Sequence, residues 1–293
     1  MESIALVLGS GGARGLAHIG VIRLLEERGY GIRCIAGSSI GALIGGIHAA
    51  GKLDEFEEWV RAISRVDIVT YLDVAWGKGG LVKGDRIINA LVDLVGDVHI
   101  EVLPIRFTAV ATDLVRQREV VFTSGRLFDA IRASMSVPLL FTPCTLDGVD
   151  YIDGGVLNPV PVTALADSSA DLTVAVYCGG QATHPEPESE SRSSVPSKLP
   201  PALLEVQDKI RSFMHRFFST SVPQDESRDW GTYEVAMQSF EAMQNTIARH
   251  KLAAFPPDIL VEIPRNACRT IDYDRAAELI ALGYDAARKT LDR

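Results

Sequence analysis

The stretch that decides the fold is residues 32–50, IRCIAGSSIGALIGGIHAA. An apolar run over 32–36 predicts a buried strand, and small and apolar residues over 40–50 predict a helix. The turn between them is a G-x-S-x-G pattern formed by Gly37, Ser38, Ser39, Ile40 and Gly41. An isolated match fits a serine-rich helix cap equally well, but the strand–turn–helix context favours a turn that presents a serine hydroxyl. We predict Ser39 as that serine, because it lies between the two glycines.

Strand-like and helix-like segments alternate along the rest of the chain. Apolar, β-rich runs predict further strands at 4–8, 104–112, 119–123, 172–178 and 258–263. Apolar residues at helical spacing predict helices at 16–28, 54–64, 84–95, 126–134, 202–218, 232–252 and 273–291. This alternation predicts an α/β fold with a mainly parallel sheet and helices on both faces.

Residues 180–201 change character, because they are rich in Pro, Ser and Glu and contain little that a core could bury. This composition predicts a flexible segment. We interpret it as an excursion within one domain over residues 1–293, since the strand at 258–263 is needed to complete the sheet.

Composition and charge exclude several classes of protein. The chain has 293 residues, of which 47% are hydrophobic and 23% charged, which is ordinary for a globular protein. The formal net charge of -9 argues against nucleic acid as a partner. The four cysteines are far apart and no histidine cluster has metal-ligand spacing, so we expect reduced thiols and no metal. No basic leader and no apolar run of about 18 residues occur, which predicts a cytoplasmic protein.

A glycine-rich loop follows the first predicted strand and opens the first predicted helix: Gly9, Ser10, Gly11, Gly12, Ala13, Arg14 and Gly15. Glycines allow main-chain N–H groups to converge on one point, and a helix N-terminus favours negative charge there. The dinucleotide fingerprint G-x-G-x-x-G fails in both registers, and no Gly-Lys-Ser/Thr of a P-loop follows. The loop therefore favours an oxyanion cradle over a phosphate cradle, with a nucleotide site as the alternative.

A third motif, Asp-Gly-Gly, follows a β-like run at 149–152 and is formed by Asp153, Gly154 and Gly155. Taken alone, Asp-Gly is a common turn signal. Its sequence context is more specific, because Ala133-Ser134-x-x-x-Pro138 precedes it and Asn158 and Pro161 follow it.

In their order and spacing, the glycine-rich loop, G-x-S-x-G, the Ala-Ser-x-x-x-Pro segment and Asp-Gly-Gly resemble the patatin-like phospholipase family. The chain is similar to its bacterial members and to the catalytic domain of neuropathy target esterase. The resemblance covers residues 4–178, is weaker over 256–290, and is not distinctive over 180–255. One departure is Ser10, which stands where many members carry glycine.

This resemblance implies a three-layer patatin-like fold and a Ser–Asp dyad without histidine. Ser39 would attack an ester carbonyl and Asp153 would accept its proton. The oxyanion would be bound by main-chain N–H groups of the glycine-rich loop, at Gly11, Gly12 and Ala13. Arg14 would add positive charge near the oxyanion or brace the loop by pairing with a carboxylate, and both roles stay open. The motif residues that would support the site are Gly37, Gly41, Gly154, Gly155 and Pro138.

The implied activity is that of a carboxylic ester hydrolase of the phospholipase A or lysophospholipase type. Its substrate would be a lipid or another acyl ester, and neither a metal nor an organic cofactor is implied. The alternative is a protein of the same fold that has no catalytic activity and instead binds lipid or has a regulatory role. The sequence leaves the head group, the acyl chain length and the oligomeric state open.

A conventional Ser-His-Asp α/β-hydrolase is the other alternative, and its base would be His184, His215 or His250. Its nucleophile elbow normally follows several strands, whereas only one predicted strand precedes the strand that leads into Ser39. His18 lies near the glycine-rich loop, but its helical neighbours are apolar, which favours a structural histidine.

Two segments have both a structural and a functional interpretation. The apolar run at 137–141 is typical of core packing, and lining an acyl pocket is the alternative. Residues 211–218, RSFMHRFF, favour an amphipathic helix docked on the domain or at a dimer contact over a transient membrane-surface contact.

Overall fold

The predicted strands form one sheet in a computed structural model, which describes residues 2–63, 82–183 and 231–292. The strands of these residues are β1 Ser3–Leu8, β2 Gly31–Ser38, β3 Arg106–Asp113, β4 Arg118–Phe122, β5 Cys144–Leu146, β6 Val149–Asp153, β7 Leu172–Gly180 and β8 Ile259–Pro264. Their order is β5-β6-β3-β2-β1-β7-β8, and β4 also pairs with β3. Four pairs are parallel: β3 with β2, β2 with β1, β1 with β7, and β7 with β8. The other three pairs, β3 with β4, β3 with β6, and β5 with β6, are antiparallel. The prediction of a mainly parallel sheet is confirmed.

The helices of the described residues are α1 Ala17–Glu27, α2 Ile40–Ala49, α3 Leu53–Ala62, α4 Asp85–Val95, α5 Leu127–Ser134, α6 Thr232–Ala254 and α7 Ala276–Leu291. Short 3-10 turns, Gly12–Leu16 and Tyr273–Arg275, precede α1 and α7. The sequence did not predict β5, a three-residue strand that pairs with β6.

Alternate residues of the central strands pack on opposite faces of the sheet. In β1, Ile4, Leu6 and Leu8 belong to a core cluster that includes buried residues of α1, α2 and α7. Ala5 and Val7 belong to a second cluster that includes buried residues of α6. Because a strand repeats every two residues, each face of β1 needs its own helical cover. The three-layer α/β fold is confirmed.

Contacts within the chain group Met1–Thr183 with Tyr233–Arg293 in one compact unit and His184–Thr232 in a second. Nearly all of the second unit lies outside the described residues, as do the predicted helix at 202–218 and most of the predicted flexible segment at 180–201. The single domain over 1–293 stays a prediction. Among the described residues, no helix is both long enough and apolar enough to cross a bilayer.

The pairing of β3 brings distant parts of the chain together. Ser38, the last residue of β2, pairs with Val110, and Asp153, the last residue of β6, pairs with Ala111. These two partners are consecutive residues of β3. The loop after β1 lies at the same edge, because β1 and β2 are adjacent and parallel. The sheet therefore assembles the three predicted motifs at one edge.

Candidate active site

Ser39 occupies a strained turn between β2 and α2. Its backbone angles are φ 57 and ψ -125, which a residue other than glycine seldom adopts. A side chain at Gly41 would overlap the carbonyl oxygen of Leu8, and one at Gly37 would overlap the backbone of Gly41. The G-x-S-x-G spacing therefore has a steric cause, since the turn brings both glycines against main chain.

Residues at and just after the end of α5 hold both partners of the proposed dyad. The Ser39 N–H donates to Ser134 Oγ at 2.9 Å, and Ser134 Oγ donates to the carbonyl oxygen of Val110 at 2.6 Å. The Asp153 N–H donates to the carbonyl oxygen of Ser136 at 2.9 Å. Ser134 and Ser136 are fully buried. The Ala-Ser-x-x-x-Pro segment thus anchors the backbone of Ser39 and of Asp153.

The Asp153 carboxyl is buried, with 1% of the residue exposed. Burial raises its pKa from 3.8 to about 7, although hydrogen bonds from the Ser39 side chain and the Gly155 N–H act in the opposite direction. The Gly155 N–H donates to Oδ1 at 2.7 Å. Asp153 is therefore a far better proton acceptor near neutral pH than an ordinary carboxylate.

The second oxygen of this carboxyl, Asp153 Oδ2, is buried and has no hydrogen bond of regular geometry within the described residues. The Ser39 side chain is close enough to lower the pKa of the carboxyl by hydrogen bonding. Contacts between a nucleophile and its base are commonly loose before substrate binds and tighten in the complex. The structure thus brings Ser39 and Asp153 together, with one carboxylate oxygen held and the other available.

The glycine-rich loop follows β1, and its amides fall into two groups. The N–H groups of Gly9, Ser10 and Ala13 donate to main-chain carbonyl oxygens, and Ala13 donates to Thr270 at 2.8 Å. Among the described residues, the N–H groups of Gly11 and Gly12 have no such acceptor. Here the structure differs from the sequence expectation: Ala13 cannot bind an oxyanion while it bonds to Thr270. Gly11 and Gly12 remain as candidate donors.

Arg14 is almost fully buried behind this loop, with 6% of its side chain exposed. Its Nε donates to the carbonyl oxygen of Gly11 at 3.2 Å, and Nη1 donates to that of Arg265 at 2.6 Å. Nη1 also lies 2.5 Å from Oε1 of Glu241 on α6. Of the two roles that the sequence left open for Arg14, these contacts favour the brace.

A cavity opens beside Ser39 and Asp153, and it is lined by four segments. The glycine-rich loop and the segment after α5 form part of its wall, the latter through Met135, Val137, Leu140 and Phe141. The remaining wall comes from one face of α6 and from the loop before α7, through Met237, Gln238, Phe240, Glu241, Gln244, Thr270 and Tyr273. Among the described residues, no group of His, Cys, Asp or Glu is arranged to hold a metal ion.

Comparison with known proteins agrees with this geometry. The family model described as patatin-like phospholipase matches residues 6–166, which include the glycine-rich loop, Asp153 and the nucleophile elbow, the G-x-S-x-G turn at residues 37–41. The chain is also 38% identical to an uncharacterized NTE family protein of Mycobacterium tuberculosis, over 99% of this chain and 91% of that protein. The chain belongs to the patatin-like phospholipase family. Membership indicates a lipid acyl hydrolase.

One further relative and one solved structure match this patatin-like chain less completely. A lysophospholipase NTE1 of Yarrowia lipolytica is 33% identical over 61% of this chain, and the match covers 13% of that protein. The crystal structure of VipD from Legionella pneumophila aligns with a TM-score of 0.48 at 16% identity, over 99% of this chain and 66% of that chain.

None of the histidines in the described part of the patatin-like chain lines the cavity. His18 is fully buried and Nε2 lies 2.8 Å from the carbonyl oxygen of Gly9, so the ring donates to the loop that it supports. Burial lowers the pKa of His18 to about 4, and this hydrogen bond only partly offsets it. His250 is exposed on α6, while His184 and His215 lie outside the described residues.

Sequence reasoning missed the contribution of α6 to the patatin-like site. The sequence predicts a helix at 232–252, but nothing in its composition marks it as a helix that lines the cavity. The spacing of the lining residues was a usable signal, since Met237, Phe240, Glu241 and Gln244 stand at i, i+3, i+4 and i+7 and so share one face of a helix. The predicted run at 137–141 contributes to the cavity, with half-buried Pro138 between its lining residues, whereas residues 211–218 lie outside the described residues.

Proposed function

We propose that this protein is a carboxylic ester hydrolase of the lysophospholipase type, which cleaves lipid acyl esters with a Ser39–Asp153 dyad. The observation that carries the proposal is a strained serine beside a buried carboxyl whose pKa is about 7. Family membership and the lysophospholipase among the relatives support the lipid substrate.

Acylation begins when Ser39 Oγ bonds to the ester carbonyl carbon and its proton passes to Asp153. The carbonyl oxygen becomes an oxyanion, which accepts hydrogen bonds from the N–H groups of Gly11 and Gly12. When this intermediate collapses, the carbon–oxygen bond to the leaving group breaks and Asp153 returns the proton to that oxygen. Water then loses a proton to Asp153, attacks the acyl-Ser39 ester, and releases the fatty acid as Ser39 regains its proton.

In this scheme, both the base and the glycine-rich loop lower the activation barrier. A carboxyl with a pKa of about 7 is half deprotonated at neutral pH and still basic enough to accept a proton in the transition state. Each main-chain donor to the oxyanion contributes roughly 10²–10³ in rate. Two such donors at Gly11 and Gly12 therefore account for a larger share of the barrier reduction than the base does.

The cavity supports an acyl substrate rather than a small polar one. Apolar side chains of two segments line it: Val137, Leu140 and Phe141 after α5, and Met237 and Phe240 on α6. Burying a methylene group against such a wall contributes about 0.8 kcal/mol, so a fatty acyl chain gains affinity with its length.

The test is hydrolysis of a short p-nitrophenyl ester and of a lysophospholipid by the wild type and by three variants. Ser39→Ala and Asp153→Asn should each lower kcat by at least about 10³-fold. A triple alanine variant of His184, His215 and His250 should keep its activity. A fluorophosphonate probe should label the wild type and not Ser39→Ala.

Other outcomes would redirect the assignment. Loss of activity in the histidine variant alone would mean a conventional Ser-His-Asp enzyme. A wild type that neither hydrolyses esters nor reacts with the probe would be a non-catalytic lipid-binding or regulatory protein. Thermal stabilisation by ATP or NAD, without any by acyl-ester analogues, would indicate a nucleotide site at the glycine-rich loop.

A further inference from the structure

The brace behind the glycine-rich loop reaches an element that the four sequence motifs do not include. Arg14 bonds to the carbonyl oxygen of Gly11 with Nε at 3.2 Å, to that of Arg265 with Nη1 at 2.6 Å, and to Glu241 with Nη1 at 2.5 Å. Glu241 lies on α6 and lines the cavity. Arg14 therefore connects the loop after β1, the segment after β8, and α6.

The bond from Arg14 to Gly11 orients an amide of the proposed oxyanion site. A peptide unit is planar and trans, so its C=O and the N–H that follows point in opposite directions. Holding the carbonyl oxygen of Gly11 against Arg14 directs the Gly12 N–H the other way. That N–H has no main-chain acceptor in the described part of the chain. The position of the Arg14 guanidinium thus sets the direction of one oxyanion donor.

Glu241 is what keeps this guanidinium in place. The Arg14 side chain is 6% exposed and the Glu241 side chain 25%, so the pair is largely shielded from water. A buried cation is costly unless an anion compensates it, and two carbonyl oxygens are only neutral acceptors. Without the carboxylate, Arg14 would gain by turning toward solvent, and the Gly11–Gly12 peptide would lose its restraint.

We propose that Glu241 is a positioning residue for the oxyanion loop, and that it acts through Arg14. The proposal rests on the proposed function, because it assigns a role to Gly12 in ester hydrolysis. Glu241 touches neither the nucleophile nor the base in this scheme. Because the oxyanion forms only in the transition state, loosening its donor should lower the rate of the chemical step more than the substrate affinity.

The experiment compares Glu241→Gln with Lys251→Met in the full chain, using a short p-nitrophenyl ester. Glu241→Gln keeps the size of the side chain and removes its charge. Lys251→Met is the matched control, because it removes a second ion pair of α6, from Lys251 Nζ to Glu119 Oε2 at 3.3 Å, which does not touch the loop. Thermal unfolding of both variants reports any loss of stability that comes from loosening α6.

Glu241→Gln should lower kcat about 10- to 100-fold, a fraction of what loss of a whole oxyanion donor costs. Its KM should stay within about twofold of the wild type, as expected when only transition-state interactions weaken. Fluorophosphonate labelling of Ser39 should slow in parallel. Arg14→Lys should show the same loss of kcat, because an ammonium group cannot bridge Gly11 and Glu241 as a planar guanidinium does. Lys251→Met should keep the wild-type kcat.

Full kcat in Glu241→Gln, with an active wild type and an inactive Ser39→Ala, would overturn this inference alone. An equal fall of kcat in Lys251→Met would also overturn it, because anchoring of α6 would then be the cause. An inactive wild type would overturn the proposed function, and the role of Glu241 with it. If Glu241→Gln does not fold, full kcat in Arg14→Lys overturns the inference, because Glu241 is proposed to act through Arg14.

Discussion

Asp153→Asn should make the protein inactive and, above neutral pH, more stable. The reason is the burial that raises the pKa of Asp153 to about 7. Where the folded state raises the pKa of an acid, the folded state holds its proton over a pH range in which the unfolded state has released it. Folding then becomes less favourable as pH rises through that range. Asparagine carries no charge at any pH and removes this dependence.

The size of the effect follows from the two pKa values. Asp153 titrates at about 7 in the folded protein and near its ordinary value of 3.8 in the unfolded chain. At about 1.4 kcal/mol per pKa unit, the difference amounts to roughly 4 kcal/mol as an upper bound. The advantage of Asp153→Asn over the wild type should be smallest below pH 4. It should grow between pH 4 and pH 7, and stay constant above.

A contribution that does not depend on pH comes from the new amide. Asparagine retains the oxygen that accepts the Gly155 N–H, but its NH₂ group occupies the position of Oδ2, which has no regular hydrogen bond within the described residues. Such a donor costs up to about 1–3 kcal/mol if it is left unpaired, and less where it donates to the nearby Ser39 hydroxyl. The change of the difference with pH, and not its absolute value at one pH, therefore measures the cost of the Asp153 charge.

Urea denaturation of the wild type and of Asp153→Asn between pH 4 and pH 8 measures this change directly. Ser39→Ala is the control, because it is expected to be inactive too but keeps the Asp153 carboxyl. Its stability should follow the pH dependence of the wild type. A constant difference between Asp153→Asn and the wild type across this range would refute the reasoning. A difference that shrinks with rising pH would show that the folded state favours the carboxylate.

Three further predictions concern the same site. The kcat/KM for an ester should rise about tenfold per pH unit up to pH 7 and then level off as Asp153 loses its proton. A flat profile from pH 5 to pH 8 would contradict the role of Asp153 as base, and an apparent pKa that hardly moves with temperature would identify a carboxyl rather than an imidazole. Ser134→Ala should cost about 1–3 kcal/mol in urea denaturation, because it leaves the Ser39 N–H without its acceptor, and should lower kcat; an unchanged kcat would mean that the elbow holds its shape without this bond. Gly41→Ala should destabilise the protein by more than about 3 kcal/mol, because its Cβ would overlap main chain, whereas Gly51→Ala, whose Cβ meets open space, should cost only the strain of its positive φ, about 1–2 kcal/mol. Equal losses of stability in thermal unfolding would argue against the steric account of the elbow.

The sequence predicted most of the fold because its signals are local. Residues 32–50 contain a strand, a tight turn and a helix in consecutive positions, and the structure has β2 and α2 there. The glycines of the turn predict close main-chain approach without any knowledge of the partner. β5 escaped prediction because three residues carry no periodicity, and it exists only through its pairing with β6.

The parts of the site that depend on long-range contacts could not be predicted in this way. Ala13 seemed equivalent to Gly11 and Gly12, but its amide bonds to Thr270, which lies in a loop near the other end of the chain. The partner of Arg14 on α6 is likewise invisible, because any carboxylate in the sequence could have filled that role. Local patterns determine which backbone groups converge, whereas tertiary contacts determine which of them stay unpaired.

Burial explains how a carboxyl could act here without a histidine. In a Ser-His-Asp triad, the imidazole supplies a base that titrates near neutral pH, and the aspartate orients it. In the proposed dyad both tasks fall to one residue, because desolvation brings the pKa of Asp153 to about 7 and the Gly155 N–H holds Oδ1 in place. The cost is a buried charge above neutral pH, added to the strained backbone of Ser39. Both are local losses of stability, and the buried hydrogen bonds of Ser134 and the large two-sided core of the sheet offset them.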